Sequence, residues 1–181
     1  MNENVKRINR ELKYSGAIVD VYSDTMEFAN GNTEEWDFVS HRKGAAAVVA
    51  VLPNGKLLMV HQYRNAIDGE MIEIPAGSRD SITEDTKVCA ARELEEETGY
   101  KAGKLELLIS LCTTVAFCDE FIDIYLATEL VKTVQNLDAN EYVEIKEYDL
   151  SELIQKIFNR EIRDGKTIAA ILAYNAKLNQ K

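Results

Sequence analysis

The run AAAVVAVL, residues 45–52, is apolar throughout. A strand with one face in water alternates apolar and polar side chains, and this run does not. It is far shorter than the roughly 20 residues of a membrane span. It therefore reads as a strand buried on both faces, which other elements must cover from two sides. PNGK turns the chain back into LLMVHQYR, residues 57–64, a second strand.

The flanking sequence supplies those elements. AIVDVYSD alternates, and ANGN around Asn30-Gly31 is a hairpin signal ahead of EEWDFVSH. EMIEIP is a short strand ending at Pro75. From Glu84 the period changes: Val88, Ala91, Leu94 and Thr98 fall at helical spacing on one side. With Thr83 as N-cap, Glu84 and Asp85 favouring the helix start, and Gly99 past the end, the spacing predicts a helix over 84–98. LELLISLC (105–112), FIDIYLATEL (121–130) and EYVEIKEY (141–148) read as strands. LSELIQKIFNR and KTIAAILAYNAKL read as helices. The pattern is α/β: a mixed sheet flanked by helices, opening on hairpins. No linker divides the 181 residues, and neither repeats nor low-complexity segments occur.

Composition narrows the function. Apolar content of 46% and charged content of 29% suit a soluble, ordered domain. A net charge of −10 argues against non-specific nucleic-acid binding, because nothing would neutralise a phosphate backbone. Cys89, Cys112 and Cys118 lack CxxC spacing and are read as packing residues, with a reducing cytoplasm as the expected compartment. MNENVKRINRELKYSG lacks the apolar core of a signal peptide, and no run is long enough to span a membrane.

The stretch CAARELEEETGY, residues 89–100, crowds Glu93, Glu95, Glu96 and Glu97 together. Like charges three or four apart on a helix repel by roughly 0.2–0.5 kcal/mol a pair. A solvated face would intersperse lysines, yet only Arg92 is near. Glu93, Glu96 and Glu97 share one side, and hard divalent cations take several oxygen ligands, often together with substrate phosphates. A bound cation turns the repulsion into affinity.

EIPAGSRDSITEDTKVCAARELEEETGY resembles the signature of the Nudix hydrolase family, G-x5-E-x7-R-E-U-x-E-E-x-G-U, where U is a bulky apolar residue. Glu84, Arg92, Glu93, Leu94, Glu96, Glu97, Gly99 and Tyr100 match it. Six residues rather than five separate Gly77 from Glu84, so either the loop carries an insertion or Ser78 replaces the glycine; EIPAG favours the insertion. VHQYR before EIPAG, the loop TVAFCDE (114–120) and the late KT resemble the ADP-ribose pyrophosphatase group, although that loop usually carries Pro and Gly where Val115 and Ala116 stand.

The resemblance implies a Nudix-type α/β/α sandwich with a mixed sheet, residues 44–181. An N-terminal β-hairpin subdomain, 1–43, would serve as a dimerisation element. It implies hydrolysis of ADP-ribose or a related nucleoside diphosphate sugar with Mg2+, or Mn2+, giving AMP and ribose 5-phosphate from ADP-ribose. The alternatives are another diphosphate, such as GDP-mannose or a dinucleotide, and a nucleotide-sensing module without catalysis. Glu93, Glu96, Glu97 and the Ala76 carbonyl are the implied metal ligands, and Arg92 orients a glutamate. Glu120 is the implied base, with Glu97 its rival. Arg64 would hold phosphates and Glu73 a ribose hydroxyl, unless each sits in an ion pair.

Overall fold

A computed structural model describes residues 4–137 and 139–180. Contacts divide the chain into two units: one runs up to Gly44 and includes Cys112–Phe121, and the other comprises Ala45–Leu111 with Ile122–Lys181.

The first unit is an antiparallel meander of β1 (Val5–Ser15), β2 (Val19–Phe28) and β3 (Thr33–His41). The β2–β3 turn falls at the anticipated Asn30-Gly31, with Gly31 at φ +83°. Strand β1 escapes sequence reading because register shifts at Arg7/Asn9 and Leu12/Tyr14 break its alternation, while charged residues fill the positions between. Residues 112–121 lie along β3. The Val39 N–H donates to the Phe117 carbonyl at 2.7 Å, and the Asp119 N–H donates to that of Val39 at 3.2 Å.

The second unit begins with β4 (Ala45–Val51) and β5 (Leu57–Arg64), followed by β6 (Gly69–Glu73) and β7 (Ala76–Ser78). Helix α1 spans Thr86–Thr98. Then come β8 (Tyr100–Lys101), β9 (Lys104–Cys112), β10 (Phe121–Thr128), β11 (Val131–Lys132) and β12 (Val143–Tyr148). Helices α2 (Leu150–Phe158) and α3 (Gly165–Leu178) close the chain. Among the described residues the main sheet runs β12-β5-β4-β10-β9, with β6 added on β5 and β7 on β4. It is mixed: β4 is parallel to β10 and antiparallel to β5 and β7.

Strand β4 is the fully buried strand its sequence demands. Ala47, Val49 and Val51 pack in one cluster with Leu153 of α2 and Ala170, Ile171 and Tyr174 of α3. Ala46, Val48 and Ala50 pack in another with Cys89, Ala90 and Leu94 of α1. Alternate side chains of one strand thus fill both faces, giving an α/β/α layering.

Two details of α1 correct the sequence reading. Its N-cap is Asp85, whose carboxylate accepts from the Lys87 N–H at 2.7 Å, so Glu84 precedes the helix. The buried residues are Cys89, Ala90, Leu94, Glu97 and Thr98, whereas Val88 is 58% exposed. The stripe is rotated from the expected one, and the rotation turns Glu97 inward. Cys112 is exposed, so the packing reading of the cysteines fails there. Among the described residues no helix is long and apolar enough to cross a membrane.

Candidate active site

Helix α1 carries the charge cluster, and its ends are fixed by bonds that leave the glutamate carboxylates of the cluster unused. Gly99 takes φ +68° and donates its N–H to the Glu95 carbonyl at 2.8 Å. No basic residue sits in the last turn, where the helix dipole is negative and three glutamates stand. The open carbonyls are met instead by residues 133–136. The Asn136 N–H donates to Glu96 at 3.0 Å, the Gln135 side-chain amide to Glu97 at 2.7 Å, and the Thr133 N–H to Gly99 at 2.7 Å.

Arg92 is the hub of the cluster. Its Nη1 donates to Glu93 at 2.7 Å and to Glu96 at 3.0 Å, and its Nη2 donates to the Ser78 carbonyl at 3.1 Å. Its Nε and Nη2 lie 3.4 Å from the two oxygens of Glu84. Burial opposes the charge, but the surrounding carboxylates outweigh it and raise the guanidinium pKa. Glu84 also accepts from the Asp80 N–H at 2.6 Å, and Arg79 donates to the Glu84 and Ile82 carbonyls, so the loop closes on itself before the helix begins.

Glu97 is in a different setting. It is 2% exposed, and among the described residues its side chain has one hydrogen-bond partner, the Ala76 N–H at 3.0 Å. Burial pushes its carboxyl up to about 8; repulsion from Glu93 and Glu141 adds to this, while the Ala76 N–H and Arg64 oppose it. Glu93 is also raised, first by burial, with Glu96 and Glu141 adding to it against Arg92. The structure therefore brings Ala76 to Glu97 through its amide.

Gly77 explains why a glycine stands on β7. A Cβ built there would collide with the Glu93 carboxylate, so the absent side chain is the space that Glu93 occupies. This favours the inserted loop over a replacement by Ser78, which is exposed. Among the described residues no three acidic, histidine or cysteine side chains already converge as a metal cage. Arg92 instead holds Glu93 and Glu96, while Glu97 bonds the Ala76 N–H.

Arg64 and Glu73 are brought together, each answering the other. Arg64 Nε and Nη2 donate to the two Glu73 oxygens at 2.7 Å each. Lys166 completes the pair, its ammonium donating to Glu73 at 2.5 Å and to Asp164 at 3.0 Å. Burial works against the charge on Glu73, but the two cations win and lower its pKa. The ion-pair alternatives are thus the ones seen for both residues.

Glu120 belongs to the first unit, where its carboxylate lies 3.4 Å from His41 Nδ1. Two site features were missed from sequence. Lys166 opens α3 in the KT pair, a signal that marked the helix start but not the charge it carries. Glu141 opens the segment read as a strand over 141–148, but β12 begins at Val143 and Glu141 precedes it, its charge acting on both Glu93 and Glu97.

A family profile described as a NUDIX domain matches residues 41–171. A methanol dehydrogenase activator of Bacillus methanolicus is 41% identical over 168 residues, covering 92% of this chain and 90% of its own length. An ADP-ribose pyrophosphatase of Bacillus subtilis (strain 168) is 39% identical over 168 residues, with the same coverage of 92% and 90%. A crystal structure described as an ADP compounds hydrolase superposes with a TM-score of 0.88 at 19% identity, covering 98% of this chain and 96% of that one, which speaks for the fold. The chain belongs to the Nudix family, and it is a Nudix hydrolase similar to ADP-ribose pyrophosphatases.

Proposed function

We propose that this hydrolase cleaves the pyrophosphate bond of ADP-ribose or a related nucleoside diphosphate sugar with a divalent cation, Mg2+ or Mn2+, giving AMP and ribose 5-phosphate from ADP-ribose. The observation that carries the reading is the buried Glu97, held against Ala76 by one amide, beside a Glu93 seated in the gap at Gly77. A buried carboxyl with no cation beside it either keeps its proton or takes up a cation, and among the described residues Glu97 has only the Ala76 amide to bond. The donor set fits a hard cation: oxygen ligands from Glu93, Glu96 and Glu97, with the Ala76 carbonyl as the main-chain candidate. Such an ion supplies positive charge to a diphosphate and makes a nearby water more acidic.

The protein's own residues do the rest. Arg92 fixes Glu93 and Glu96 and limits their repulsion. Arg64, whose Nη1 has no hydrogen-bond partner among the described residues, offers a planar fork to a phosphate. For the proton acceptor there are two candidates. Loop resemblance names Glu120; nearness adds Glu141, whose charge reaches both Glu93 and Glu97. Glu97 is better placed as a ligand than as the base. Dimerisation through the N-terminal strands is part of the reading, supported by Ile8, Leu12, Tyr14 and Ile18, all about half exposed or more in the single chain.

A substrate panel with Mg2+, scored by phosphate released after phosphatase coupling, tests the activity. ADP-ribose is turned over, and Glu97→Gln lowers the rate at least about 100-fold, the scale of losing a charge-stabilising group. Unchanged turnover in that variant would refute its metal role. Comparing Glu120→Gln with Glu141→Gln identifies the base: its loss lowers kcat with KM kept.

A further inference from the structure

The segment 112–121 is shaped by hydrogen bonds rather than by turn residues. Its tip carries Val115 and Ala116, not a Pro and Gly that would pre-set the chain, and Val115 is 82% exposed, so packing does not hold it. The Phe117 and Cys118 N–H groups donate to the Thr114 carbonyl at 3.2 and 2.9 Å, and the Thr113 N–H donates to the Glu120 carbonyl at 3.1 Å. Cys118 pairs with Val39 of β3 as a parallel bridge.

Two neighbouring carboxylates on this segment are used differently. Asp119 spends both oxygens on β3: one accepts from the His41 N–H at 3.0 Å and the other from the Ser40 hydroxyl at 2.9 Å. With its own N–H donating to the Val39 carbonyl, three bonds pin the residue before Glu120 to Val39, Ser40 and His41. Among the described residues the one polar contact of the Glu120 carboxylate is His41 Nδ1 at 3.4 Å. That nitrogen already accepts from the Gly44 N–H at 3.1 Å, so a neutral His41 has no proton there to give. Glu120 is therefore fixed through its backbone and through its neighbour, while its own oxygens are uncommitted. A proton acceptor needs that combination, because it must hold a lone pair ready and a misplacement of about 1 Å can cost about 100-fold in rate.

We propose that Asp119 is a positioning residue for Glu120: its carboxylate ties the segment to Ser40 and His41 so that the next side chain is presented with its oxygens unspent. The inference rests on the reading that Glu120 is the proton acceptor. It assigns Asp119 no contact with substrate.

The test is a double-mutant cycle in steady-state kinetics with ADP-ribose and Mg2+, with Mn2+ affinity followed by electron paramagnetic resonance. D119A lowers kcat about 10-fold or more, with KM and Mn2+ affinity within about two-fold. In the E120Q background the same change moves kcat less than about two-fold, since no acceptor remains to place. D119N brings kcat back to within about three-fold of the parent, because its oxygen accepts from the His41 N–H and its amide donates to the Ser40 hydroxyl. S40A, which removes one bond and keeps Asp119, lowers kcat about three-fold and only when Glu120 is present, so the cycle survives a D119A protein that fails to fold. A merely structural role predicts lost stability with kcat unchanged in the folded protein, or losses that are the same with and without Glu120; either result overturns the proposal. Slowed turnover in E120Q with normal kcat in D119A and S40A overturns it as well, and leaves the base reading standing. Unchanged kcat in E120Q overturns the base reading of Glu120 itself, and this inference with it.

Discussion

At the scale of single residues, the site is governed by where positive charge is present and where it is lacking. Glu73 has two cations, and its carboxyl is held below the usual range. Its stabilising contribution is therefore complete above the unfolded value of about 4.3 and is lost as pH falls through the depressed folded value. Glu73→Gln is expected to cost about 3 kcal/mol at pH 7, as breaking a buried pair does. The deficit should shrink in urea unfolding carried out progressively below pH ~4.3. Gly77 makes a different prediction. The atoms a new methyl would meet belong to the tip of the Glu93 side chain, which swings away cheaply. Gly77→Ala should leave stability within about 1 kcal/mol of the parent, since the smaller unfolded-state entropy offsets part of the strain. It should nevertheless lower activity by at least about 10-fold if Glu93 works from that gap, a loss of roughly 1.4 kcal/mol in the transition state. Calorimetry and kinetics on the same sample separate the two effects.

At the scale of elements, α1 is positioned by its ends. Gly99 has φ +68°, and a Cβ there would lie 2.8 Å from the Gln135 nitrogen, a backbone atom with nowhere to go. Gly99→Ala is expected to destabilise the protein by at least about 1–2 kcal/mol, the cost of the left-handed conformation alone, as read from thermal unfolding. Periodicity placed β4, β5 and the helix from residue patterns because their burial is continuous and their spacing regular. It missed β1 because bulges at Arg7 and Leu12 shift which side chains face the same way. It rotated the α1 stripe because it assumed that the buried side would be apolar, whereas Glu97 is buried and Val88 is not. Functional helices break the pattern where they hold charge in the interior. The Arg92, Glu93 and Glu97 positions were legible because a motif fixes their spacing. Lys166 and Glu141 were not, since only tertiary folding brings α3 and the segment before β12 to the rest.

At the scale of the molecule, the chain holds a layered unit with the carboxylates and a separate three-stranded meander with its 112–121 segment. The meander leaves Ile8, Leu12, Tyr14, Ile18 and Trp36 exposed, apolar side chains that a second copy could cover. Light scattering is expected to give twice the 20.4 kDa chain mass. Removing residues 1–18 should yield a monomer; a truncated chain that stays dimeric would contradict dimerisation through these strands. The central claim, though, lies in the other unit. Mn2+ binding followed by electron paramagnetic resonance, in the presence of a non-hydrolysable ADP-ribose analogue, tests it most directly. The parent protein should bind the ion, with affinity falling at least about 100-fold in Glu97→Gln, roughly 2.7 kcal/mol. Equal Mn2+ affinity in the two proteins would show that these buried glutamates serve something other than a cation.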